Sequence, residues 1–172
     1  MNRNYLHARK ISLAFFALAI LSANVNARSA DDVWLQALKA IKFAAISRGS
    51  VEPQCKPGNR TSTTPQYQML CPKLRKIPDS VIENAALPYF KRHVSEDAAR
   101  EAISFFSSEG GKAIQIKMIK NVTTGMYDHF NEEDSFVMAA RDQSAYGKAF
   151  SRFASDKEQA AAVVRAMLDY IP

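Results

Sequence analysis

The chain is poor in the residues that most often do chemistry. In 172 residues cysteine occurs twice, tryptophan once and histidine three times. There is no CxxC pair, which excludes a dithiol redox centre of that kind. There is no Gly-x-Ser-x-Gly turn either, so the commonest hydrolase nucleophile signature is missing. Gly110-Gly111-Lys112 resembles the end of a phosphate loop, but the first glycine of such a loop and the strand before it are absent. Beyond residue 27 no apolar run approaches the ~20 residues of a membrane-spanning helix.

What stands at the front is a leader for export. Arg3, Arg9 and Lys10 supply a positive n-region, residues 11–23 are almost wholly apolar, and Val25-Asn26-Ala27 is a small-x-small cleavage site. The apolar run is too short to span a bilayer. No cysteine follows the cleavage site, so no lipid anchor is expected. Residues 1–27 therefore read as a signal peptide and 28–172 as a single helical domain, periplasmic or secreted.

Charge excludes one class of partner and leaves another open. Residues 1–27 hold three of the 23 basic residues and no acid, leaving 20 against 17, a net +3 that gives no reason to expect nucleic acid. The distribution is uneven. Residues 28–76 carry nine Lys/Arg against three acids, whereas 77–172 carry 11 against 14. The basic front half can dock on the acidic back half or meet an anionic partner. Export makes a Cys55–Cys71 disulfide the default pairing, a structural bridge closing the loop 49–78.

Periodicity predicts an all-α fold. Trp34, Leu38, Ile41 and Ala45, widened by Leu35 and Ile46, fit one face of a helix over about 31–48, with Gly49 as its terminator. The loop 49–78 is rich in proline, Pro57-Gly58 suits a type II turn, and Tyr67-Gln68-Met69 is a candidate short extended segment. Ser80 with Glu83 is spaced as a capping box, and Pro88 is expected to kink or restart the helix that follows. Ser95 caps the next helix, which Gly110-Gly111 is expected to stop. Lys112 to Val122 reads helical, with Ile116 and Ile119 buried. Asn131 opens another helix, interrupted near Tyr146-Gly147. Ser155 with Glu158 forms a second capping box, and 155–171 is an amphipathic helix with Ala160, Val163, Val164, Met167, Leu168 and Ile171 inward. Phe105, Phe106, Phe136, Phe150 and Phe153, with Met118, Met138 and Met167, are the expected core.

Sliding the sequence by 36 residues aligns His93 with His129, Glu96 with Glu132, Ser108 with Ser144, and Gly111-Lys112-Ala113 with Gly147-Lys148-Ala149. Ser95 falls on Asn131, another N-cap residue. The fold is therefore expected to be a compact bundle built partly from two pseudo-repeated helix–turn–helix units across 78–153. Leu87-Pro88-Tyr89-Phe90, Ser95-Glu96-Asp97 and Phe105-Phe106-Ser107-Ser108-Glu109-Gly110-Gly111-Lys112 together resemble the bacterial domain-of-unknown-function family 2059. The resemblance covers residues 78–125 and extends more weakly to 153. It departs at Glu109, where the family has a turn proline, and at Gly110, where it has a small residue. It implies a helical, exported bacterial protein and no particular activity.

His93 with Asp97 and His129 with Glu133 are the one conceivable metal set, since a pseudo-dyad would bring four ligands together. Each histidine precedes a helix cap, however, and each acid sits in a first turn that the helix dipole already favours. No metal and no cofactor is expected. Lys73, Arg75, Lys76, Lys112, Lys117 and Lys120 are the candidate contacts for an anionic partner; the last three would line one helix side. The leading expectation is a non-enzymatic binding protein of the cell envelope, its partner a protein or an anionic polymer. A carrier of a small apolar ligand between the helices comes second, and a hydrolase or metal-dependent protein third.

Overall fold

The computed structural model describes residues 33–125 and 130–172. Residues 1–27, expected as a signal peptide, and His129 lie outside the described residues. Among the described residues there are nine α-helices and no strand. These are α1 (33–41), α2 (Phe43–Val51), α3 (Pro65–Leu70), α4 (Asp79–His93), α5 (Glu96–Ser107), α6 (Glu109–Thr124), α7 (Glu132–Gln143), α8 (Ala145–Ala154) and α9 (Lys157–Asp169). Short 3₁₀ turns at Glu52–Cys55, Arg60–Thr63 and Leu74–Lys76 fill the rest.

The bundle is organised around α4, which packs on α2, α8 and α9, while α2 lies along α6. Phe90 of α4, Phe153 of α8 and Phe43 of α2 meet ring to ring, 5.0 Å and 5.4 Å between centroids. Leu38, Ile41, Ile82, Ile114 and Met167 complete a core that is essentially dry.

The first predicted helix departs from its expected bounds. It breaks at Lys42, whose φ of 58° is left-handed, and restarts as α2 through Val51. Gly49 does not terminate it. A side chain there would bring a Cβ within 2.8 Å of both Val122 and Thr123, so the glycine lets α2 lie against α6. The disulfide between Cys55 and Cys71 is formed. Within the loop it closes, Gly58 has φ 86° and Asn59 N–H donates to the Lys56 carbonyl, as the type II turn requires. Tyr67-Gln68-Met69 is helical rather than extended, because Pro65 at the first helical position starts α3.

Several helix ends are set by neighbours of the expected residues. Pro78, not Ser80, precedes α4, and no side chain caps it. Pro88 lies inside α4, which runs continuously from Asp79 to His93. Asp156, not Ser155, caps α9 through the N–H groups of Glu158 and Gln159. Ser95 and Asn131 cap as expected, Asn131 in a reciprocal box with Asp134.

The repeat is expressed in the joints. α5 and α7 each have 12 residues. Each ends on a serine, Ser108 or Ser144, that is also the N-cap of the next helix, with φ/ψ of −71°/160° and −66°/163°. Those hydroxyls accept from Gly111 N–H and Gly147 N–H. The bends therefore fall three residues before the expected glycine stops, and the glycines sit in the first turns of α6 and α8. A Cβ on Gly111 would lie 1.9 Å from the Phe105 carbonyl oxygen, and one on Gly147 would lie 2.1 Å from that of Arg141. Only glycine lets the second helix leave so close to the end of the first.

The clash is with backbone and cannot be relieved by a rotamer change. Gly111→Ala and Gly147→Ala should each destabilise the fold by on the order of 3 kcal/mol or more, which denaturant titration will measure. Loss of the Cys55–Cys71 bridge in Cys55→Ser/Cys71→Ser should cost about 3 kcal/mol by loop entropy. Hydrogen exchange should then rise chiefly over residues 52–76, with the helical circular dichroism largely retained.

Candidate functional site

An apolar groove on the repeat region lies between α5 and α7, above the start of α8. It is an open groove of about 470 Å³ lined by Glu101, Ser104 and Phe105 on one side and Phe136, Val137, Ala140 and Arg141 on the other, with Ser144 and Tyr146 beneath. A volume of ~300–1,000 Å³ is usual for a ligand cleft. The 36-residue shift carries 101, 104 and 105 onto 137, 140 and 141, so the two walls are equivalent faces of the two repeats. The residues at those positions differ, giving Glu against Val, Ser against Ala and Phe against Arg.

Local structure explains how the walls are held. Glu101 accepts a hydrogen bond from Tyr146 N–H at 2.9 Å, tying α5 to the first turn of α8. Arg141 is clamped to Asp142 at 2.5 Å and turned toward the Met118 sulfur at 3.9 Å. Tyr146 is 1% exposed, edge-on to Phe106 and tilted against Phe150. Its hydroxyl has no hydrogen-bond partner among the described residues, and burial pushes its pKa well up, so it stays protonated. Phe136 is 77% exposed. Its counterpart in the first repeat is Arg100, which is paired with Glu96 and solvated.

These placements correct part of the expected core. Phe136, Ile116 and Ile171 are exposed rather than buried, Phe136 on the rim of the groove and Ile171 beyond the end of α9. Ala160 is exposed too, and only Val163, Met167 and Gln159 of α9 are fully buried. Sequence reading did not pick out Glu101, Arg141 or Tyr146 as site residues. Their signal was available in the repeat itself, at the columns where the two copies differ on one helix face.

The expected basic contacts are divided. Lys73 donates to the carbonyls of Leu168 and Tyr170, closing the end of α9. Arg75 holds Glu52, and Lys117 holds Asp134. Lys76, Lys112 and Lys120 are exposed. Arg75 and Lys76, with Lys56, edge a groove of about 620 Å³ beside the disulfide.

His93 is bonded through Nε2 to Asp156 at 2.8 Å, not to Asp97, which is exposed. Glu133 is exposed as well. Among the described residues no three His, Cys, Asp or Glu side chains cluster as metal ligands. No helix among them is long and apolar enough to cross a membrane. Compared with protein families, curated proteins and solved structures, the chain matches none.

The His93–Asp156 contact joins the end of α4 to the cap of α9. Hydrogen bonding to His93 first, and then to the Gln159 and Glu158 N–H groups with Arg92 nearby, holds the Asp156 carboxyl below the usual range despite some desolvation. A depressed folded-state pKa stabilises the fold above the unfolded carboxylate range, near pH 4, and that gain is lost as the pH falls through the lowered value. Asp156→Asn keeps a capping acceptor and removes the charge. Its unfolding temperature should fall below wild type at about pH 5, and the difference should narrow as the pH falls below about 4.

Proposed function

We propose that this is an exported, non-enzymatic binding protein of the bacterial periplasm, and that its working surface is the groove between α5 and α7. The occupant is an amphipathic segment of an envelope protein, which lays apolar side chains between Phe105 and Phe136. One observation carries this reading: a phenylalanine stands 77% exposed on the rim of an apolar groove, at a position where the other repeat holds a solvated arginine. An open groove with an exposed aromatic rim is the form of a protein contact, where aromatic anchors carry most of the binding energy. Glu101 on one wall and Arg141 on the other supply opposite charges that set the direction of the incoming segment.

A second reading rests on a different feature. Phe43, Met118, Phe150, Phe153, Val163 and Met167 line an apolar cleft of about 280 Å³ beneath α9. A carrier of a small apolar ligand would use that cleft, although it falls just under the ~300 Å³ at which ligand sites usually begin.

Placing a photocrosslinking benzoylphenylalanine at Ala140 and irradiating cells should yield one discrete protein product. The same probe at Lys112 should not give it, and Phe136→Ser should abolish it. The captured protein, once purified, should bind the wild type and lose at least tenfold in affinity to Phe136→Ser. Binding indifferent to Phe136 overturns the reading. A co-purifying apolar compound with no protein product favours the carrier.

A further inference from the structure

Among the described residues two acidic side chains are buried, Asp134 and Glu83, and only Asp134 has a bonded partner. Asp134 takes a bond from Asn131 N–H at 2.9 Å and pairs with Lys117. Glu83, only 3% exposed on α4, receives no hydrogen bond and no ion pair among the described residues. Burial without a donor pushes its carboxyl upward in pKa, with Lys39 as the main opposing influence. The Glu83 oxygens are not themselves sealed from solvent, so an otherwise buried side chain presents its carboxyl to the neighbouring groove with no donor from the described residues.

Glu83 opens onto a groove of about 500 Å³ that it shares with Asp79, Ser80, Lys39 and Lys42. Asp79 is already engaged by Arg48, which also donates to the Ile77 carbonyl at 3.0 Å and so fixes the start of α4. Lys39 and Lys42 are exposed on the opposite side, Lys42 at the left-handed joint between α1 and α2. The groove therefore offers an unfilled acceptor at its base and two ammonium groups at its rim. Two lysines beside only two carboxylates disfavour a divalent cation, which takes six or more oxygen ligands. A simple anion would leave Glu83 unanswered, and a simple amine would leave the lysines so.

We propose that this groove binds a small zwitterion, with its ammonium on Glu83 and its phosphate or carboxylate on Lys39 and Lys42. The site is separate from the α5–α7 groove and does not depend on it. An ammonium supplies the donors that Glu83 lacks, and charge-assisted bonds of this kind are about twice as strong as neutral ones. Free solutes and lipid headgroups can both present this chemistry.

Calorimetric titration of the intact protein with O-phosphoethanolamine, and separately with β-alanine, tests it. Saturable binding of at least one is expected. Glu83→Gln should weaken it at least tenfold, and Lys42→Asn, which tolerates the left-handed backbone, at least fivefold. Circular dichroism checks both folds, and Lys42→Asn decides if Glu83→Gln does not fold. Cosedimentation with phosphatidylethanolamine but not phosphatidylcholine vesicles would assign the ligand to a headgroup; titration without cosedimentation would assign it to a free solute. The proposal is overturned if neither zwitterion binds, if the folded Glu83→Gln protein binds like wild type, or if ethanolamine or inorganic phosphate alone binds as tightly.

Discussion

The ring of Phe153 meets Phe43, Phe90 and Phe150, and through them it joins α2, α4 and α8. Phe90 and Phe153 are wholly out of solvent. Each buried ring contributes ~1.5–3 kcal/mol by burial, and each tilted or edge-on pair adds ~0.5–1.5 kcal/mol. The aromatic chain does not stop at the core. From Phe150 it passes to Tyr146, then Phe106, then Phe105, which lines the groove. The wall of the groove is thus backed by rings that lead to the centre of the bundle, so it is positioned by packing rather than by a loop.

Polar contacts fix the periphery onto that core. Trp34 donates to the Val94 carbonyl at 2.7 Å, Gln115 reaches the Ala40 carbonyl at 2.5 Å, and Lys73 closes the end of α9 from the disulfide-bonded segment. Each spans at least 60 residues of sequence. The Pro-rich stretch could not hold its shape by burial alone. The bridge, three 3₁₀ turns and α3 together give it one.

Much of this was legible in the residues. Apolar spacing indicates an all-helical chain, two cysteines behind a sequence that reads as an export leader indicate the bridge, and the 36-residue shift indicates paired units. Ser95 and Asn131 were readable as caps because a short polar side chain before an acidic turn has one strong use there. The errors have a common source. Gly110-Gly111 looks like a helix stop because glycine usually ends helices, but Gly111 is needed for close approach to a carbonyl that only the fold brings near. Glu83 reads as half of a capping box, and its burial follows from how α4 meets α1 and α2. Phe136 reads as core because the amino acid is apolar, and its exposure on the rim of the groove depends on how α7 is set against α5. The φ at Lys42 left no trace in composition at all.

The two walls between α5 and α7 occupy equivalent positions under the 36-residue shift, yet their residues do not match. Two identical walls would accept a guest equally well in either of two orientations, each half-populated at a cost in definition. With Glu at the position equivalent to Val and Phe at that equivalent to Arg, the two orientations differ in energy. A guest bound there, as proposed, would be read head from tail, and the near-symmetry of the frame would become a means of telling direction.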